Sequence, residues 1–195
     1  YRVSDDGKCM GVAWVQKRSI DLRNFRLKYQ GLKGKKEQGK VLHNLVRHNH
    51  QELATYFVMR CDVRDAYLQG SSTLIWASER GYLEIVQALL GREGTDVNKQ
   101  YFCDTALLLA TRRGHIEVAR ALLQAGANAR KSNNYGRTPL HYASMQGHIE
   151  IVRALLEAGA GADVRKRYRS GVSPIFHASY GKHFEVFRAL VEAGG

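Results

Sequence analysis

The feature that most constrains this 195-residue chain is a segment that recurs along it at a nearly constant spacing. The clearest copy, from Thr138 to Gly159, reads TPLHYASMQGHIEIVRALLEAG, and similar segments occupy 105–126 and 173–194. Each copy contains one aligned apolar residue: Leu74, Leu107, Leu140 and Ile175. The first three of these residues are 33 positions apart, and the fourth follows after 35 positions. A fixed period of this length predicts a repeat architecture, in which each copy packs against its neighbours.

Each copy predicts a pair of helices joined by a short turn. The copies open with a hydroxyl residue, which can accept hydrogen bonds from the free N–H groups of a helix start. These residues are Ser72, Thr105, Thr138 and Ser173. About two helical turns later a glycine permits the left-handed conformation that ends a helix. The glycines are Gly81, Gly114 and Gly147, and the fourth copy has Lys182 in their place. A second apolar stripe at helical spacing follows, and a polar segment turns the chain into the next copy.

The third copy carries three elements that resemble the signature of the ankyrin-repeat family: Thr138-Pro139-Leu140-His141, Gly147-His148-Ile149-Glu150 and Gly161-Ala162-Asp163-Val164. The resemblance extends over about residues 66–195. It implies a mainly α fold, a solenoid of stacked helix pairs whose β-hairpin fingers stand at right angles to the helices and line a concave surface. The chain departs from the family pattern at Ala106 and Leu108 in the second copy and at Lys182 in the fourth.

Two domains are predicted. A repeat domain covers 38–195, with a degenerate capping repeat whose helix-pair rhythm begins at about residue 41. Its parts are the cap at 38–65 and the repeats at about 66–98, 99–131, 132–165 and 166–195. Residues 1–37 form a separate basic segment, predicted as a small antiparallel sheet and a linker, because apolar residues alternate around an Asp-Gly turn. The last helix keeps apolar residues where a polar cap would stand, which predicts further repeats in a parent protein.

The charge and the cysteine content indicate which partners and which cellular compartment to expect. The formal net charge is +12, and residues 1–40 carry eleven Lys or Arg against four acidic residues. Such a balance favours acidic proteins, phosphates, nucleic acid or an anionic membrane as partners, although it can also serve solubility alone. The three cysteines are widely spaced, which fits a reducing compartment better than a disulfide framework. We therefore expect an intracellular, cytoplasmic protein, with the nucleus as the alternative.

The sequence contains no arrangement typical of catalysis or of metal binding. It lacks the G-x-S-x-G, G-x-x-x-x-G-K-[ST] and G-x-G-x-x-G motifs, and its histidines lack the spacing and the partner residues of a zinc site. The histidine and glutamate that recur as His115-Ile116-Glu117 and His148-Ile149-Glu150 are interpreted as a structural device, because they return once per repeat. We expect no enzyme activity, no cofactor and no metal.

Candidate binding residues are those that the repeat pattern leaves free to vary on the fingers and the first helices. They are mainly Tyr, Arg and Phe, and the first two are enriched in interface hot spots. The predicted partner-binding residues are Arg80, Tyr101, Phe102, Arg112, Arg113, Lys131, Asn134, Tyr135, Arg137, Met145, Gln146, Arg167, Tyr168, Arg169 and Tyr180. A finger tyrosine can also serve as core filling under its loop.

Two functions compete on this evidence. The first is a non-catalytic scaffold or adaptor module that binds an acidic or mixed-charge segment of another protein through the concave surface. The alternative is a binder of nucleic acid or of an anionic surface, which would use the basic residues 1–37 and the basic finger loop at 164–170. Phosphate neutralisation would make the affinity of such a binder fall steeply with salt.

Overall fold

The computed structural model describes residues 41–42, 44–46, 50–60, 70–91 and 94–194. Its helices are α1 (Gln51–Arg60), α2 (Gly70–Arg80), α3 (Leu83–Leu90), α4 (Ala106–Arg113), α5 (Ile116–Gln124), α6 (Pro139–Gln146), α7 (Ile149–Glu157), α8 (Pro174–Tyr180) and α9 (Phe184–Gly194). A short 3-10 helix spans Ala160–Asp163, and helical backbone also occurs at 41–42 and 44–46. The predicted sheet and linker at 1–37 lie outside the described residues.

The helices form two layers. The first helices of the repeats stack in sequence, α2 on α4, α4 on α6 and α6 on α8. The second helices stack in the same order, α3 on α5, α5 on α7 and α7 on α9, and α1 contacts α3 at the start of that layer. This confirms the predicted mainly helical solenoid of stacked pairs, whereas the exact domain boundaries stay a prediction. None of the helices in the described part of the chain is long and apolar enough to cross a membrane.

The core lies between the two layers and follows the repeat period. The first helices bury Leu74, Leu107 and Leu140, and the second helices bury Ile85, Val118, Ile151 and Val186. Full burial of one such side chain contributes about 1.5–3 kcal/mol. Each helix pair finds most of this burial against its neighbours, which is why the repeat has to be stacked to be stable.

The predicted helix starts are confirmed in the second and fourth repeats, where a hydroxyl side chain accepts a backbone hydrogen bond. Thr105 accepts from the N–H of Leu108 at 3.2 Å, and Ser173 accepts from the N–H of Phe176 at 3.4 Å. In the third repeat His141 takes part as well, because its Nδ1 accepts from the N–H of Thr138 at 3.1 Å. Both backbone and side chain of the opening residue therefore determine where the first helix begins.

Ala106→Pro should raise the free energy of unfolding by roughly 0.4–1 kcal/mol, because proline restricts the unfolded chain. The site is compatible with proline, since Thr105 before it has ψ 165° and Thr138 before Pro139 has ψ 167°. Urea denaturation of the variant and the parent chain measures the effect. A lower free energy of unfolding in the variant would contradict this prediction.

The left-handed helix ends are confirmed as well. Gly81, Gly114 and Gly147 have φ values of 75°, 80° and 75°, and Lys182 takes the same conformation with φ 58°. A side chain with a Cβ pays about 1–2 kcal/mol there. The fourth repeat therefore keeps the turn at a cost in stability.

Lys182→Gly should accordingly raise the free energy of unfolding by about 1 kcal/mol, since glycine adopts positive φ without that cost. Lys182→Ala is the matched control, because alanine also removes the charge but keeps the Cβ. Thermal or urea denaturation of both variants tests the prediction. Equal stability of the two variants would mean that the backbone conformation is not the cause.

The recurring histidines join consecutive repeats. The imidazole of His115 lies over Gly81, and its Nε2 is 3.0 Å from the carbonyl oxygen of Glu79. His183 repeats this contact over Gly147, with Nε2 3.2 Å from the carbonyl oxygen of Met145. The side chains of His115 and His148 make no hydrogen bond that caps their own helices. The predicted structural role thus operates between repeats.

The fingers that were predicted as β-hairpins are tight turns in the structure, and the described residues contain no strand. A single isolated antiparallel bridge joins Tyr101 and Asp104 in the second finger. The third finger closes through the N–H of Asn133, which donates to the carbonyl of Arg137 at 3.0 Å. Each finger arm is only one or two residues long, which is too short for a regular ladder.

Candidate partner-binding surface

Consecutive fingers are tied to each other by side-chain hydrogen bonds. Asn98 accepts from the N–H of Asn128 at 2.7 Å, and its own amide donates to the carbonyl of Gly126 at 3.2 Å. Gln100 donates to the carbonyl of Ser132 at 3.0 Å. Because these bonds span repeats, the fingers are held as a preformed surface rather than as independent loops.

The third finger is organised around Asn133, which is buried. Its Oδ1 accepts from the backbone N–H groups of Tyr135 and Arg137, both at 3.1 Å. Its amide donates to the hydroxyl of Tyr142 at 3.1 Å and to Asp104 at 3.2 Å. This satisfied network fixes the finger and turns the side chain of Tyr135, which is 62% exposed, into solvent.

Arg137 and Tyr168 form the rigid contact between the third and fourth fingers. The guanidinium lies 4.5 Å from the centre of the Tyr168 ring, and Nη2 donates to the Tyr168 hydroxyl at 3.1 Å. Tyr168 in turn stacks on His177 at 5.9 Å and meets the edge of His141 at 5.4 Å. Tyr168 is half-buried, so it fills space under its finger, whereas the corresponding Tyr135 is free to contact a partner.

Burial lowers the pKa of His177, with a further contribution from the positive charge of Arg137. The hydrogen bond from Ser170 lowers the pKa of the Tyr168 hydroxyl, and Arg137 acts in the same direction. The positive charge of Arg137 thus lowers both pKa values, although burial is the larger cause for His177 and the hydrogen bond from Ser170 is the larger cause for Tyr168.

Arg112 and Arg113, two of the predicted binding residues, form ion pairs within the scaffold. Arg113 lies 2.6 Å from the carboxylate of Glu79, and Arg112 lies 3.6 Å from the same group. Arg112 also lies 3.5 Å from Asp104 on the second finger. Acidic side chains of the scaffold thus largely neutralise the two guanidinium groups, and the assignment of both arginines to partner binding stays a prediction.

The predicted site residues differ in exposure. Those that are exposed are Tyr101, Phe102, Arg113, Asn134, Tyr135, Gln146, Arg167, Arg169 and Tyr180. Those that are half-buried are Arg80, Arg112, Lys131, Arg137, Met145 and Tyr168. Their assignment to partner binding stays a prediction, since burial alone assigns no partner.

Several of these residues already have contacts within the scaffold. Arg80 lies over the ring of Trp76 at 5.0 Å. Lys131 donates from Nζ to the carbonyl of Asn98 at 2.8 Å. Asn134 donates to the sulfur of Cys103. Lys131 and Asn134 therefore help to hold consecutive fingers together, whereas Arg80 contacts a residue of its own helix.

Two exposed aromatic positions stand out on the fingers and the first helices. Phe102 at the tip of the second finger is 84% exposed, and its backbone is left-handed with φ 47°. Its ring meets the edge of Tyr101 at 4.5 Å. Tyr180 is 82% exposed and stacks on Phe176 of the same helix at 6.2 Å. Phe176, which was not among the predicted site residues, stands where the third repeat has His141.

The buried carboxylate of Asp163 was also missed. Its Oδ1 lies 3.1 Å from Nε of Arg130 and 3.8 Å from Nζ of Lys166, while Oδ2 is buried without a hydrogen-bond partner among the described residues. The signal in the sequence was an acid in an otherwise basic finger. Within the described ranges no group of three or more His, Cys, Asp or Glu side chains could hold a metal ion.

Comparison with known proteins agrees with this geometry. A family model described as ankyrin repeats (3 copies) matches residues 22–101 and residues 74–168, which together span more than half of the chain. The first match begins within the segment 1–37 that was predicted to be separate, and that boundary stays a prediction. No curated protein matches the chain.

Proposed function

The chain belongs to the ankyrin-repeat family, and we propose that it is a non-catalytic scaffold or adaptor module that binds another protein through its fingers and first helices. Ankyrin repeats are generally protein-interaction modules and are typically not enzymes. The partner surface is the concave side, and its occupant is a segment of acidic or mixed charge. We place the protein inside the cell, in the cytoplasm or the nucleus.

The observation that carries this proposal is the exposure of large aromatic side chains on fingers whose backbone is fixed. Phe102 and Tyr135 are mostly exposed, although neither is needed for the helix-pair framework. Aromatic side chains bring large contact area at a small entropic cost, which makes them typical anchors of protein interfaces.

Rigidity supports the same function. The hydrogen bonds that tie the second finger to the third, from Gln100 and Asn98, exist before any partner arrives. A preformed surface loses little conformational entropy on binding, so that modest contacts can suffice for specific association.

One observation favours the alternative of an anionic-surface or nucleic-acid binder. The loop at 164–170 exposes Arg165, Arg167 and Arg169, none of which forms an ion pair within the described part of the chain. Binding of this kind would depend on net charge, and it would weaken steeply with salt.

The two functions are separated by two variants used to capture partners from a cell extract and to bind single-stranded and duplex oligonucleotides. The first variant, Phe102→Ala with Tyr135→Ala, should reduce recovery of a specific protein partner by at least tenfold, because it removes two anchors. The second variant, deletion of residues 1–37, removes ten of the thirty basic residues and should leave that recovery nearly unchanged.

Glu117→Ala is the surface control for the first variant, since Glu117 is exposed on the second-helix layer. Circular dichroism of each variant establishes that the fold is kept. Tight, salt-sensitive oligonucleotide binding that survives the aromatic variant and is lost in the deletion would overturn the proposal in favour of the alternative.

A further inference from the structure

Charge is distributed unequally along the surface formed by the fingers and first helices. The third and fourth fingers, at 128–137 and 161–173, contain seven basic residues and a single acidic residue. The basic residues are Arg130, Lys131, Arg137, Arg165, Lys166, Arg167 and Arg169. The adjoining helices α6 and α8 contain no Asp, Glu, Lys or Arg. This half of the surface therefore has an excess of positive charge and an uncharged floor.

Three of the seven cations contact a carboxylate or a backbone carbonyl of the scaffold. Arg130 and Lys166 contact the buried carboxylate of Asp163, and Lys131 donates to the carbonyl of Asn98. The other four form no ion pair within the described residues; they are Arg137, Arg165, Arg167 and Arg169. Their charge is available to a ligand.

The preceding half of the surface differs. There the carboxylate of Glu79 contacts both Arg112 and Arg113, and Asp104 also contacts Arg112. The exposed aromatic pair Tyr101 and Phe102 lies on the same finger as Asp104. The second finger, at 95–104, thus offers apolar contact area and no excess of positive charge, since it contains Asp96, Lys99 and Asp104, whereas the last two fingers have a large excess.

The last two fingers act as one surface because their backbones and side chains are joined. The N–H of Arg169 donates to the carbonyl of Tyr135 at 3.2 Å. Arg137 is clamped by the ring and the hydroxyl of Tyr168. The guanidinium of Arg137 is consequently positioned in advance, next to the finger that exposes Arg167 and Arg169.

We propose that the third and fourth fingers bind a carboxylate-rich segment of the partner protein, with its acidic side chains at Arg137, Arg167 and Arg169 and an apolar side chain against Tyr135. A guanidinium group presents two parallel N–H donors that match a carboxylate, which makes arginine suited to this recognition. The inference rests on the proposed protein-binding function, and it adds which end of the surface binds the acidic side chains of the partner.

Charge complementarity also gives the segment a direction. Its acidic part lies over the third and fourth fingers, where cations are unpaired, and an apolar part lies near Phe102, where the arginines are already neutralised. A segment placed the other way round would bring its carboxylates next to Arg112 and Arg113, whose charge Glu79 and Asp104 already offset, and it would gain little attraction there.

The test uses the full chain and fluorescein-labelled twelve-residue peptides in which Glu alternates with Tyr or Leu, together with the same peptides carrying Gln in place of Glu. Fluorescence anisotropy should show binding of the Glu peptide that weakens with salt and little binding of the Gln peptide. The variant Arg167→Glu with Arg169→Glu should lower the affinity on the order of tenfold, because it replaces attraction by repulsion.

The matched control is Arg120→Glu with Arg153→Glu. It changes the net charge by the same amount on the second-helix layer, where both arginines lie 3.9 Å from Glu150, and it should change the affinity less than twofold. Comparable losses of affinity in the two variants would overturn the proposal, because they would show that only the net charge of the protein attracts the peptide. Equal binding of the Gln peptide would also overturn it.

An oligonucleotide of equal formal charge completes the design. Tighter binding of the oligonucleotide than of the Glu peptide, lost in the finger variant, would replace the acidic protein segment by nucleic acid as the ligand. If the Glu peptide fails to bind while partner capture still depends on Phe102 and Tyr135, this inference is wrong and the protein-interaction function stands.

Discussion

Gly147→Ala should lower the free energy of unfolding by about 1.5–3.5 kcal/mol, the largest effect that we expect from adding a single methyl group to this protein. Gly147 ends α6 with φ 75°, a conformation that costs a residue with a Cβ about 1–2 kcal/mol. A Cβ built at this position would lie 2.5 Å from Nδ1 of His183. The ring would have to move, and its hydrogen bond to Met145 would be lost, at about 0.5–1.5 kcal/mol.

Gly159→Ala is the control that separates the two contributions. Gly159 has φ 88°, and a Cβ there would have no atom within 4 Å outside its immediate chain neighbours. We expect it to cost only the conformational term, about 1–2 kcal/mol. Urea denaturation of both variants measures the difference. Equal losses would show that the contact between the histidine and the glycine adds nothing to the stacking of the repeats.

Lowering the pH from 7 to 4 should remove about 3 kcal/mol of stability through His141 alone. The imidazole is 1% exposed, and burial lowers its pKa to about 4. Its Nδ1 accepts from the N–H of Thr138, and its Nε2 lies 2.9 Å from the carbonyl oxygen of Lys166. Nε2 must therefore carry the proton of a neutral ring, and protonation of Nδ1 would break the bond at the start of α6.

The direction follows from the two pKa values. The unfolded chain takes up the proton near pH 6.5, whereas the folded chain resists it until about pH 4, so stability is complete above 6.5 and falls as the pH decreases. The side chains of His177 and Lys166 oppose the imidazolium, and Asp163 favours it. Burial also lowers the pKa of His148 and of His177, which adds to the loss.

Two measurements check this result. The free energy of unfolding by urea should decrease steadily between pH 6.5 and pH 4. The Cε1 proton of His141 should titrate in the NMR spectrum near pH 4. Titration of His141 close to 6.5 would contradict the prediction.

The architecture could be predicted from the sequence because the chemistry that starts and ends these helices is local. A hydroxyl residue before Pro139 and Gly147 about two turns later specify a short helix whatever surrounds it. The constant period then placed one helix pair after another, and both the helical solenoid and its family are confirmed. One part of this prediction differs from the structure: the described fingers are tight turns where β-hairpins were expected.

The contacts of the candidate site could be predicted less well from the sequence, because the partner of a charged side chain often comes from a different repeat. Arg112 and Arg113 looked free in the linear pattern, yet Glu79, on the preceding first helix, neutralises them. Tyr135 and Tyr168 occupy similar positions on consecutive fingers, yet the side chain of Tyr135 is exposed and that of Tyr168 is half-buried.

The sequence by itself determined the repeat, its helices and the residue types on the variable surface, because these depend on spacing and on local backbone chemistry. Only the tertiary structure decided which arginines keep an unpaired charge and which tyrosine remains exposed. The physical reason is that stacking brings residues about one repeat apart into contact, so that Tyr168 meets Arg137 while the Tyr135 ring projects into solvent.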